Sequence, residues 1–252
     1  MSLLELDNLV KQFGGLTAVD HVSLGIEKGT VQAIIGPNGA GKTTTINCVS
    51  GLLEPTSGAV TFNDEDITGL APHETVQRGL AKSFQTASIF PTMTVEENVM
   101  IAAFGSEHGS FRFNFLKRRD DYDAVHDTTE RMLRSVELWE DRHIEAQNLP
   151  YGDKRRLEIA IALASEPELL FMDEPTAGMS PEETDSTVDL IEELQEKLGL
   201  TIVLVEHDME VIFRVADKIA VLNRGAVLAN AEPEEIKGDP EVQEAYLGGV
   251  EI

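Results

Sequence analysis

Apolar residues recur along this chain with two different periods. "TVQAII" at 30–35, "ELLFM" at 168–172, "TIVLV" at 201–205 and "KIAVL" at 218–222 are apolar and β-branched at nearly every position. Continuous runs of that length predict strands buried on both faces, as in a largely parallel sheet. Longer segments with helical spacing separate them, which is the alternation of an α/β unit. "LLELDNLVKQF" and "GAVTFNDEDI" alternate apolar with polar positions instead, and predict a half-exposed antiparallel sheet near the N-terminus. From about 88 to 165 the strand pattern stops and helical spacing takes over, so an inserted helical subdomain is expected there.

Two helices can be placed closely. "SPEETDSTVDLIEELQEKLG" begins with Ser180 as cap and Pro181 in the first turn, and sets Val188, Ile191, Leu194 and Leu198 on one face. "NLPYGDKRRLEIA" at 148–160 also opens like a helix, with Pro150 suited to the first turn and Tyr151, Gly152 and Asp153 leading into Leu157, Ile159, Ala160 and Leu163. A helix start turns N–H groups and a partial positive charge outward, so this one is a candidate anion site. Lys154, Arg155 and Arg156 follow it directly, and either support that end or pair with surface acids such as Glu158; for Arg156 the pairing is the expectation. "FGSEHGSFRFNFLKRRDDYD" at 104–123 fits either a docking surface or a solvated connection that tucks its phenylalanines into the helical lobe.

Composition narrows the class. With 252 residues, 42% hydrophobic and 26% charged, the chain reads as one globular unit, with or without a subdomain. Its 45 acidic against 20 basic residues give a net charge of −25, which opposes non-specific binding to nucleic acid or anionic lipid. Such a surface suits a salt-rich cytoplasm, and an ordinary acidic protein is the other reading. The start "MSLLELDNLVKQFGG" lacks the basic residues and unbroken apolar run of a signal peptide, and no run reaches the roughly 18 apolar residues of a membrane span, so a cytoplasmic protein is expected. Cys48 stands alone, which excludes an internal disulfide, and its apolar surroundings suit a small buried side chain.

The candidate chemistry begins at "GPNGAGKTT", residues Gly36, Pro37, Asn38, Gly39, Ala40, Gly41, Lys42, Thr43 and Thr44. It follows a strand pattern and precedes a helical one, the context a phosphate-binding loop requires. The glycines let backbone N–H groups face phosphate oxygens, Lys42 reaches the β and γ phosphates, and Thr43 offers a hydroxyl to Mg²⁺. "LLFMDEP" puts Asp173 and Glu174 at the end of an apolar strand, where α/β sheets bind ligands. Asp173 is placed to hold the metal shell and Glu174 to accept a proton from an attacking water.

In this order the motifs resemble the nucleotide-binding subunit of an ATP-binding cassette (ABC) transporter over residues 3–248. The resemblance implies a P-loop NTPase fold with a mostly parallel core sheet, an N-terminal antiparallel β subdomain and an inserted α-helical subdomain. It also implies three roles that the residues alone do not: Phe13 stacks on adenine, Gln85 in "KSFQTASIF" senses the metal and faces the membrane subunit, and His207 in "VEHDM" contacts the γ-phosphate. "LPYGD" stands where the family carries its signature, usually LSGGQ, which caps the γ-phosphate held by an opposite subunit. Pro150 there replaces a serine and removes a hydroxyl donor, while Asp153 replaces a glutamine and adds charge near phosphate. "AGMSPEET" departs from the family's SALD in a similar way, with Ser180 where an aspartate is common.

"FGGLTAVDHVSLGIEKGTVQAIIGPNGAGKTT", the stretch from Tyr151 to Thr184 and the ending "EVQEAYLG" are most similar to the branched-chain amino acid importer subfamily. That likeness implies a second ATPase subunit, alike or different, transmembrane permease subunits, an external solute-binding protein acting indirectly, and a place at the cytoplasmic face of the membrane. Urea-type or other polar solute importers and lipopolysaccharide-export ATPases share these features. A non-transport cassette acting on DNA or the ribosome lacks support, because no long coiled-coil insertion or second cassette is present and the net charge of −25 opposes nucleic acid. A regulatory module that binds ATP without hydrolysis is opposed by Glu174 and His207.

Overall fold

The computed structural model of the chain describes residues 2–83, 89–108 and 119–247. They form two compact units, one of Met1–Thr75 with Gln195–Ile252 and one of Val76–Leu194.

The first unit opens with β1 (Ser2–Phe13) and β2 (Leu16–Glu27), a hairpin. After β3 (Val31–Ile35) and α1 (Lys42–Val49) come β4 (Ser57–Phe62), β5 (Glu65–Asp66) and α2 (Pro72–Gln77). Strands β2-β1-β4-β5 make the expected antiparallel sheet. Leu4, Leu6, Val22, Leu24 and Ile26 are buried while Glu5 and Asp7 stay exposed, so the alternation in the sequence is the alternation of the sheet. Cys48 on α1 is buried as well.

The second unit starts with β6 (Leu80–Lys82), followed by α3 (Val95–His108), α4 (Arg119–Ser135) and α5 (Tyr151–Leu163). β7 (Leu169–Asp173) pairs in parallel with β6, and α6 (Pro181–Leu198) follows. Two of these helices begin with a reciprocal cap. Thr94 Oγ1 accepts from the Glu97 amide at 3.1 Å while Glu97 Oε2 accepts from the Thr94 amide at 2.8 Å. Ser180 and Glu183 do the same for α6 at 3.3 and 2.9 Å. Val188, Ile191 and Leu194 are buried as their spacing predicts, but Leu198 is 44% exposed. It is the last residue of α6, and the chain turns away at Gly199, which has φ of 62°.

Back in the first unit, β8 (Thr201–Val205) leads to α7 (Met209–Val215), β9 (Lys218–Asn223), β10 (Ala226–Ala231), α8 (Pro233–Gly238) and α9 (Pro240–Val242). β3 lies between β8 and β9, parallel to both, and β10 adds an antiparallel edge to β9. Every residue of β3 and β8 is buried, as their unbroken apolar runs require. Ala33 and Ile35 of β3 pack with Ile212, Ile219, Val221, Ile236 and Val242, which ties the last three helices to the sheet. The four strands read from continuous apolar runs are thus β3, β7, β8 and β9.

Candidate functional site

The loop at residues 36–41 joins the end of β3 to α1. Its shape depends on two glycines. A Cβ on Gly36 would lie 2.1 Å from the Leu222 carbonyl oxygen, and one on Gly41, whose φ is 101°, would lie 2.5 Å from that of Ala18. Backbone bonds from the Gly225 amide to Ala40 O, at 3.0 Å, and from the Asp20 amide to Gly225 O, at 2.8 Å, brace the loop from behind. Gly41 caps α1 with no side-chain hydrogen bond, so the helix start is left without a side-chain acceptor. Lys42 is 8% exposed, and its Nζ donates to Gly36 O at 2.6 Å and Pro37 O at 3.3 Å. The ammonium therefore already sits over the loop. Asn38, Gly39 and Thr43 are exposed, while Pro37 and Thr44 are half-buried. A glycine loop, an open helix start and an inward-folded lysine together favour an anion.

The same unit carries Phe13 and His207. Phe13, at the end of β1, is 47% exposed, with Lys11 Nζ 5.1 Å from its ring centre. His207 is exposed just beyond β8, between two acids whose side chains accept from backbone amides. Its amide donates to Glu206 Oε2 at 3.0 Å, and Asp208 caps α7 by accepting from the Glu210 amide at 2.9 Å. Glu206 is buried, which marks it as a side chain placed for a neighbour, and nothing in its spacing along the sequence singles it out.

In the second unit, Asp173 ends β7 and is buried. Glu174 follows with φ of 50°. That left-handed backbone costs an L residue on the order of 1–2 kcal/mol, and strain of this kind gathers at functional positions. Lys82 Nζ lies 3.9 Å from Asp173 Oδ2. Burial pushes the Lys82 ammonium below its ordinary range, and the charge of Asp173 offsets part of that. Gln85 lies outside the described residues, and so do residues 109–118 of the 104–123 stretch.

Pro150 proves to be the N-cap of α5, one place earlier than the first turn, with φ of −54°, ψ of 161° and no side-chain hydrogen bond. Its extended ψ leaves the turn to start at Tyr151. The Tyr151 hydroxyl donates to Ala177 O at 3.1 Å, linking this helix start to the loop that follows Glu174. A Cβ on Gly152 would meet Glu183 Oε1 at 3.2 Å, so the glycine lets α5 approach the capped start of α6. Asp153 holds its proton more tightly than usual, chiefly through burial, against the pull of Arg156 and with help from Asp141 and Glu183.

The three basic residues are engaged within this unit. Lys154 Nζ donates to Gln147 O at 3.0 Å, and Arg155 pairs with Glu158 at 2.8 Å beside the Tyr151 ring. Arg156 bonds Glu137 at 2.6 Å and also Ser186. Arg156 thus does pair with a surface acid, Glu137, while Glu158, two places along the same helix and so on another face, pairs with Arg155.

Strand, glycine loop and open helix start define a P-loop nucleotide-binding cassette. The ABC transporter family model matches residues 19–177, and the model of the branched-chain amino acid ATP-binding cassette transporter matches residues 226–252. The chain belongs to the ABC transporter family and is its ATPase component. It is 41% identical over 250 residues to the high-affinity branched-chain amino acid transport ATP-binding protein LivG of Salmonella typhimurium, with 98% of each chain covered. Among solved structures it is similar to the ADP conformation of an ATP-binding cassette of an ABC transporter, with TM-score 0.84, 33% identity and 98% and 99% of the two chains covered. A dimeric cassette in a post-hydrolysis state, bound to ADP and Pi, has TM-score 0.74 and 26% identity, with 91% and 98% covered. Nucleotide binding follows from this membership.

Proposed function

We propose that the chain binds and hydrolyses ATP to power an importer of branched-chain amino acids, through ATP-driven closure of two cassettes. The observation that carries this reading is the 41% identity to LivG over 98% of both chains, joined by the branched-chain family match at residues 226–252.

Residue roles follow from the chemistry of each position. The loop 36–44 cradles the phosphates, and the bonds Lys42 makes to Gly36 and Pro37 are those that the β and γ oxygens take over. Phe13, exposed at its strand end, offers a face to adenine. Thr43 and Asp173 are hard oxygen donors of the kind Mg²⁺ takes, an ion that draws its other ligands from phosphate and water. Gln85 joins them by its place in the motif. Bound magnesium neutralises phosphate charge. Glu174 takes the proton from the attacking water, and His207 orients on the γ-phosphate. The uncapped start of α5, Pro150 to Asp153, faces the nucleotide of the partner cassette.

No helix among the described residues is long and apolar enough to cross a membrane. The chain works at the cytoplasmic face, held there by permease subunits that receive solute from an external binding protein. The test is ATP turnover of the purified complex with its binding protein loaded in turn with leucine, isoleucine, valine, urea or a polar amino acid. Stimulation by the three branched-chain ligands alone is expected. Equal stimulation by urea, or none by leucine, would overturn the substrate assignment.

A further inference from the structure

Lys82 is the last residue of β6, a strand whose other two members, Leu80 and Ala81, are buried. In the parallel register of β6 on β7 it stands opposite Phe171. The Ser83 amide locks that register by donating to Phe171 O at 2.8 Å, and Ser83 Oγ donates to the same oxygen at 3.2 Å. Side chains two residues apart on a strand share a face, so Asp173, two beyond Phe171, lies on the side of the sheet that Lys82 occupies. The result is an ammonium 3.9 Å from Asp173 Oδ2, with side-chain exposures of only 10% and 5%. Burying a lysine costs much more than burying a leucine such as Leu80 on the same strand, unless its charge is met.

We propose that Lys82 is the resident counter-cation of Asp173, holding this carboxylate in place before a metal arrives and keeping free divalent ions off it until nucleotide phosphates supply further negative charge. The proposal rests on the reading of Asp173 as the metal carboxylate. At about 4 Å, even with an effective dielectric constant of about 20, the attraction of the pair is several times thermal energy. An incoming divalent cation meets a carboxylate that is already neutralised, and it meets the repulsion of the ammonium as well. With ATP present, the phosphates reverse that balance, so metal and nucleotide enter together. Lys82 is a positioning residue in this scheme, because it touches Asp173 and not the reacting atoms.

The test uses the full chain without nucleotide. Mn²⁺ binding is measured by titration calorimetry, and the melting temperature is read in chelator and in millimolar Mn²⁺. Lys82→Met keeps the length of the side chain and removes its charge; it should melt lower than wild type in chelator, regain most of that loss with Mn²⁺, and bind Mn²⁺ about tenfold more tightly. Lys82→Arg should behave as wild type. Lys82→Gln replaces the Met variant if the latter does not fold. Mn²⁺ affinity of the neutral variant equal to that of wild type would overturn the proposal. Asp173→Asn, run in parallel, separates the two readings. It should abolish the Mn²⁺ response of the Lys82→Met background, and a response that survives would remove Asp173 from the metal role and the proposal with it.

Discussion

Pro150 and Asp153 both depart from the usual signature of the family, and the two substitutions act through different physics. Pro150 caps α5 without a side-chain bond, so Pro150→Ser supplies both a helix cap and a donor for the partner's phosphate. The variant should melt higher as a monomer by the worth of a cap, on the order of 0.5–2 kcal/mol, with unchanged monomer affinity for ATP. In the assembled complex it should tighten the nucleotide site that the start of α5 faces by about 0.5–1.5 kcal/mol, the net worth of one hydrogen bond. Equal changes in ATP affinity for monomer and complex would mean that α5 does not face a partner's nucleotide. Asp153 is a pH statement. Its folded carboxyl holds the proton above the ordinary value of 3.8, so the charged form costs stability well above that raised value, and the cost vanishes as pH falls below 3.8. Asp153→Asn should therefore raise the melting temperature at pH 7, by an amount that shrinks as the pH is lowered toward 3.8. A gain that grows on acidification would contradict the burial argument.

At the residue scale the contiguous phosphate loop could be read directly, because its chemistry lies in nine successive positions, 36–44. Lys82 could not, since its meeting with Asp173 is produced by strand register between positions far apart in the chain. The bond of the Tyr151 hydroxyl to Ala177 O was missed for the same reason. Glu206 bonds the amide of its own neighbour, His207, and it is its burial that the spacing does not announce.

Among the elements, β3, β7, β8 and β9 followed from continuous apolar runs and β1 and β4 from alternation, whereas the three residues of β6 are too few to carry either pattern. Helix ends were harder, as Pro150 and Leu198 show: a spacing rule marks a face but not the turn at which the chain leaves it. Ser180 was read correctly as a cap, and Glu183 completes it as a reciprocal pair. Glu183 also borders Gly152, so the starts of α5 and α6 are coupled through one carboxylate. Ser180→Ala should destabilise the chain by roughly 1 kcal/mol in denaturant titration. Because a serine cap does the work here, an aspartate at 180, as the family often has, should retain stability. A loss of stability with Asp as large as with Ala would show that Ser180 does more than cap α6.

The whole molecule carries a net charge of −25, and the proposed closure brings it against a second cassette around bound nucleotide, which adds further negative charge. Screening shortens the reach of that repulsion from about 10 Å at 0.1 M salt to about 3 Å at 1 M. Melting temperature and ATP-driven association should both rise with potassium chloride over that range. A steady fall in both would contradict the salt-adapted reading of the surface. The central claim, that hydrolysis at Glu174 drives uptake of branched-chain amino acids, is tested most directly in vesicles. The complete complex is reconstituted with ATP on the cytoplasmic side and loaded binding protein on the other, and labelled leucine is followed. The account predicts ATP-dependent leucine accumulation by the wild type and almost none by Glu174→Gln, which should still bind ATP. Accumulation by Glu174→Gln at the wild-type rate, or a wild-type complex that hydrolyses ATP without moving leucine, would contradict it.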